Sequence, residues 1–172
     1  MKKPAANASK PVREIVEGPF GNADLLPARV AAMREKILDA CASGEIDQLR
    51  PAIERNEVIP LFGKAGDRPK NFATAIEFLR TRAFDGKGRE TLLLLEAVFT
   101  APFVKVTRGP HVSYLWPSFA VLPLNEPDAE QKIARLRCVA FSDISRLAIA
   151  GDALIQRAII GEDGTWHAFG LS

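Results

Sequence analysis

The sequence predicts an α+β fold in which a helical N-terminal part packs on a small antiparallel sheet supplied by the C-terminal part. Three observations carry that expectation. From Asp24 to Phe99 the apolar residues recur three and four apart. From Phe103 the period falls to two, and near the C-terminus an Asp-Gly pair separates two apolar runs as a hairpin turn does.

Taken in order, residues 1–22 are rich in Pro, Ala, Asn and Ser and read as a flexible leader, followed by a single domain over 23–172. Val12, Ile15, Val16 and Phe20 offer an alternative, an extended strap across that domain. Lys2 and Lys3 open the chain as an export signal does, but no apolar stretch follows them, so the segment as written is not read as a signal peptide. Asp24 to Ala42 carries Val30, Met33, Ile37 and Cys41 on one face of a helix, stopped by Ser43-Gly44. A shorter helix with Ile46, Leu49 and Ile53 follows, with Pro51 in its first turn. The loop from Asn56 to Lys70 is broken at Pro60, Gly63, Gly66 and Pro69 and is expected to be irregular.

Asn71 caps a third helix that buries Phe72, Ile76, Leu79 and Ala83. A fourth starts near Gly88, and its TLLLLEAVF run is apolar nearly all round, which places it inside the fold. Phe103 to Thr107 and His111 to Trp116 are strands joined by Arg108-Gly109-Pro110, with Val112, Tyr114 and Trp116 on one face. A fifth helix begins at Pro127, capped by Asn125 or Glu126, with Ile133, Leu136 and Ala140 inward, and Ser142 or Asp143 caps a further turn. Ala153 to Ile160 and Thr165 to Leu171 close the chain as a hairpin.

Composition restricts function more than it assigns one. A chain of 172 residues buries roughly 70% of its extended surface and folds without a metal or disulfide framework. With 23 basic against 21 acidic residues the formal charge is +2, and the basic clusters ARLR (134–137) and GKGR (86–89) are short, so no nucleic-acid partner is expected. No run of about 18 apolar residues exists, so no transmembrane helix is expected. Cys41 and Cys138 form no CxxC pair and read as buried thiols, with one long-range disulfide as the alternative.

With two histidines and no HExxH, no metal site is assigned, and the absence of GxSxG, GxxxxGK and GxGxxG removes the hydrolase, P-loop and dinucleotide signatures. No catalytic residue and no cofactor is assigned. GKGR precedes a helix and offers amides, Lys87 and Arg89 to an anion, but it reads more simply as a solvated loop capped by Asp85.

The candidate ligand-binding residues are His111, Tyr114, Trp116, Trp166 and His167. HVSYLW puts a titratable ring and two aromatics at one strand, as in a pocket wall or an ordinary core. In GEDGTWHAFG, strict alternation places Trp166, Ala168 and Gly170 on one face, with Trp166 in the core, and Thr165, His167, Phe169 and Leu171 on the other. His167 is then partly buried beside Phe169, and Asp143, Glu57 and Asp152 are its candidate carboxylate partners for acid–base work.

SGEIDQLRPAIERNEVIPLF (43–62), GKGRETLLLLEAVF, YLWPSFA (114–120) and GEDGTWHAFG together resemble an uncharacterised group of exported proteobacterial proteins. The likeness runs from about Leu26 to the end. It implies a periplasmic location, with a cytoplasmic one as the alternative, and in that compartment a Cys41–Cys138 disulfide becomes more favourable. It implies no catalytic residue. More loosely, two helices joined by SGEIDQL and a sheet ending in DGTWHAF are similar to the nuclear transport factor 2-like fold, which holds both isomerases and non-enzymatic binders. The resulting expectation is a non-catalytic binding or accessory domain of the bacterial envelope, taking a small apolar ligand or another envelope protein. The alternative is a cofactor-free enzyme or small-molecule binder with an apolar pocket.

Overall fold

The computed structural model describes residues 13–63 and 68–171. The fold is α+β, with helices in the N-terminal part against a six-stranded sheet whose order is β1-β3-β4-β5-β6-β2. The strands are β1 (Glu14–Phe20), β2 (Leu61–Phe62), β3 (Phe103–Arg108), β4 (His111–Trp116), β5 (Arg157–Gly161) and β6 (Trp166–Gly170). The four central strands are antiparallel to one another; the turns joining β3 to β4 and β5 to β6 are those the turn signals predict, while β4 and β5 are connected through α5 and α6.

The sheet is larger than expected because both edges come from the N-terminal half. Residues 14–20 form the strap, not a free leader: β1 pairs antiparallel with β3, while Val12 lies outside the described residues. In the loop expected to be irregular, Leu61 and Phe62 pair parallel with Ala168 and Phe169, which makes the sheet mixed. A two-residue strand is too short to show any period.

The main helices are α1 (Ala28–Ser43), α2 (Arg50–Glu54), α3 (Phe72–Arg82) and α4 (Arg89–Thr100). Pro27 bounds α1 at its start, so Asp24 sits instead in a separate 3₁₀ turn. Val30, Met33 and Ile37 of α1 interlock with Leu95, Val98 and Phe99 of α4 against the inner face of the sheet. Arg34 Nε ties the two helices by donating to Phe99 O at 2.9 Å. The TLLLLEAVF helix is sandwiched as expected, with Leu93 left exposed. Asn71 caps α3 through a reciprocal pair of hydrogen bonds with Thr74.

The remaining helices are α5 (Ala129–Arg137) and α6 (Leu147–Ala150). Two expectations for α5 are corrected. Its cap is Asp128, not Asn125 or Glu126, and Ile133 and Leu136 are exposed. Moving the start to Ala129 turns Ala134 and Cys138 toward the core in their place. Residues 141–154 then form short 3₁₀ turns and α6, so β5 begins at Arg157 and not at Ala153. Cys41 and Cys138 are free thiols, and burial pushes each up to about 12.

Candidate functional site

Pairing register divides the sheet residues between two faces. Phe103, Tyr114, Trp116, Ala158, Ile160, Trp166 and Phe169 face the helices and are buried. Their rings form a connected set: Trp116 lies 5.1 Å from Phe99 and 5.3 Å from Phe103, and Phe62 meets Trp166 edge-on at 5.3 Å. Three of the five sequence candidates, Tyr114, Trp116 and Trp166, are therefore core residues, unavailable to a ligand on the opposite face.

Trp166 is held by polar contacts as well as packing. Its backbone N–H donates to Asn56 Oδ1 at 2.9 Å and its indole Nε1 donates to Ala168 O at 3.0 Å. Asn56 is buried and its Nδ2 donates to Ala52 O and Ile53 O, so one amide joins the end of α2 to β6.

The alternation expected for β6 fails at His167. Ile160 pairs with Trp166 but Ile159 pairs with Ala168, an irregularity that gives His167 no partner in the register. Trp166 and Phe169 consequently share the core face, and His167 is exposed, not partly buried beside Phe169. His167 lies, as expected, on the face opposite Trp166, the outer face of the sheet, and borders the same cleft as His111.

On that outer face Leu115 pairs with Ile159, and Val106 pairs with Ser113 and lies diagonal to Leu115. Val104, farther along β3, is fully buried where the 3₁₀ turn Ser118–Ala120 crosses beside the strands. Beyond that cover lies an open cleft of about 850 Å³, with Val106, Leu115 and Ile159 as its floor and Ala120 and Val121 along one wall. Polar residues rim it: Arg157 at one end, and His111, Glu162, Asp163 and His167 toward the other. Glu14 from β1 reaches the same rim and is held by Arg108.

Asp163 and His167 converge over Gly161. A Cβ at Gly161 would lie 2.5 Å from His167 Nε2 and 2.8 Å from Asp163 Oδ1, so glycine makes room for both side chains. The carboxylate of Asp163 accepts from Thr165 N–H at 2.9 Å, and that bond, with the nearby imidazole adding to it, holds its carboxyl below the usual range. Two of the three carboxylates named from sequence go elsewhere. Asp143 pairs with Arg146 and Asp152 with Arg135. Asp85 accepts from Lys87 N and Arg89 N, both at 3.3 Å, and so occupies amides that an anion at GKGR would need.

Sequence reading missed Arg157, Ser113 and Asp163. Alternation along β5 did offer a signal for Arg157, since it stands two residues before Ile159 on the outer face. Among the described residues no group of three or more His, Cys, Asp or Glu is placed to hold a metal ion, and no helix is long and apolar enough to cross a membrane. No protein family, curated protein or solved structure matches the chain.

Proposed function

We propose that this chain is a non-catalytic binding domain and that its ligand, a small molecule with an apolar body, lies in the cleft on the outer face of the sheet. The observation that carries the reading is the cleft floor. An antiparallel sheet with one face in the core normally turns polar residues to water on the other. Here Val106, Leu115 and Ile159 sit together on that other face, half-buried beneath a wall that stops short of them. Apolar surface grouped in a concavity with a few convergent polar side chains is the usual form of a small-molecule site.

The test is fluorescence titration with N-phenyl-1-naphthylamine, a neutral aromatic probe that brightens in apolar surroundings. One saturable site is expected, lost in Leu115→Glu while the circular dichroism of the fold is retained. Absence of saturable binding, or binding indifferent to Leu115→Glu, overturns the proposal. The likeness to exported proteobacterial proteins supports an envelope location for this binder. Release from cells of the natural source by osmotic shock tests it, and retention with the cytoplasmic fraction would refute it.

Acid–base catalysis is a second reading, favoured by the meeting of Asp163 and His167 at the edge of the cleft. In that reading His167 takes a proton from the bound molecule and Asp163 stabilises the imidazolium. His167→Gln separates the two. Binding with no turnover lost supports the binder, whereas loss of turnover at unchanged binding and melting temperature supports the enzyme.

A further inference from the structure

We infer that the ligand of this cleft carries an acidic group and that Arg157 is the residue that receives it. The inference rests on reading the cleft as a binding site and adds the chemical class of what binds there: an amphipathic organic anion, with its charge on Arg157 and its apolar body on Ile159, Leu115 and Val106.

Arg157 Nε is buried and has no hydrogen-bond partner among the described residues. Other arginines of the chain are engaged: Arg80 with Asp47 and Glu77, Arg108 with Glu14, Arg135 with Asp152, Arg146 with Asp143. A guanidinium donor withdrawn from water without an acceptor is costly, so folded proteins rarely leave one unless something outside the chain completes it. Arg157 borders the cleft, where an incoming molecule can supply that acceptor.

The cleft's own carboxylates do not supply it. Glu14 is bound to Arg108, and Asp163 is committed to Thr165 N–H. Glu162 and Asp163 follow Gly161, four positions along β5 from Arg157. At a rise of ~3.3 Å per residue that is about 13 Å, beyond the range at which exposed charges act strongly in physiological salt. Ser113 lies between the two ends and His111 and His167 stand at the far one, and none of the three hydrogen-bonds through its side chain to another described residue. The cleft therefore has a cationic end with an unmet donor, an apolar middle and a mixed far end. A neutral apolar ligand fills the middle and leaves the donor unmet; an anion of the same shape satisfies both. Arginine suits this task, because its planar fork binds carboxylate and sulfonate oxygens through charge-assisted hydrogen bonds.

The test compares two probes with one aromatic frame, 1-anilinonaphthalene-8-sulfonate and the neutral N-phenyl-1-naphthylamine, on the full chain by equilibrium titration. The native protein is expected to bind the sulfonate about tenfold or more tighter, the scale of one charge-assisted contact. Arg157→Met should bring the ratio close to one by weakening the sulfonate more than the neutral probe, and should raise the melting temperature, since it removes a buried donor without an acceptor. Arg157→Gln is the second variant should the methionine perturb packing, and it too should lose the preference. Equal affinities in the native protein overturn the acidic ligand but leave the cleft standing. A sulfonate preference that survives both variants overturns the assignment to Arg157. Failure of both probes to bind overturns the cleft reading together with the inference.

Discussion

Replacing Asn56 by alanine removes the amide that fastens α2 to β6. Trp166 N–H, in a residue with no exposed surface, loses its acceptor at 2.9 Å, and the carbonyls of Ala52 and Ile53 each lose a donor at 3.0 Å. A buried donor left without a partner costs about 1–3 kcal/mol, and each ordinary hydrogen bond contributes about 0.5–1.5 kcal/mol net. Ile53 O retains the Asn56 backbone N–H as a second donor, which lowers the total. The expected loss is about 2–4 kcal/mol, read as the shift in urea midpoint at constant slope, or as a fall of roughly 5–15 °C in melting temperature for a chain of this size. Asn56→Asp adds a directional check. It keeps the acceptor for Trp166 but sets carboxylate oxygens against two carbonyls, so at neutral pH it should destabilise more than alanine and recover as the carboxyl protonates. A loss below about 0.5 kcal/mol for Asn56→Ala, the level of an uninvolved surface change, would refute the bridging role.

Three further outcomes follow from the same structure. Trp166→Ala should cost about 3–5 kcal/mol by emptying a fully buried aromatic site, and a denaturation midpoint near the native one would contradict that. Gly88→Ala should cost about 1–3 kcal/mol, because φ is +86° and the new Cβ would sit 2.8 Å from Ile46 Cβ; unchanged stability would show that Ile46 gives way freely. Stability should also fall with alkali. The unfolded thiols ionise near pH 9, whereas burial holds Cys41 and Cys138 protonated to about pH 12, so the unfolded chain binds fewer protons between those values and unfolding becomes easier as pH rises. Cys41→Ala/Cys138→Ala should have a shallower decline than the native chain from pH 8.5 to 10.5, and parallel declines would remove the thiols from the explanation.

Much of the fold is legible in the residues because most elements obey a single local rule. Met33 and Ile37 mark the buried face of α1 by helical spacing, and the central strands from Val104 to Trp116 announce themselves by alternation. The failures occur where tertiary pairing overrides that rule. Strict alternation from Trp166 to Gly170 assigns Ala168 and Phe169 to the wrong faces, because the bulge at His167 is decided by pairing with β5. Ile133 and Leu136 have the spacing of a buried face, yet α5 is set by its Asp128 cap and by the Arg135–Asp152 pair, and those residues point outward. The site was half legible for a related reason. Aromatic residues suggest pockets, but Tyr114, Trp116 and Trp166 fill the core, and what distinguishes the outer cleft is a buried arginine donor with no partner among the described residues, a property that depends on where every neighbouring side chain lies.

The strand order also governs when the fold can be completed during synthesis. β3 and β4, and β5 and β6, close through short local hairpins, but the residues between β4 and β5 include α5 and α6. The borders of the sheet pair at longer range. Glu14 of β1 waits for Arg108, 94 residues later, and Asn56 waits for Trp166, 110 residues later. Pairings this distant are slow to form and leave the early segments without their partners in the meantime. As the chain leaves the ribosome, β1 and the buried face of α1 emerge well before the central strands they enclose. A segment ending ahead of β5 therefore holds β1, β3, β4 and the helical layer but lacks the two strands that join β2 to them, so the sheet is completed only once β5 and β6 have been made.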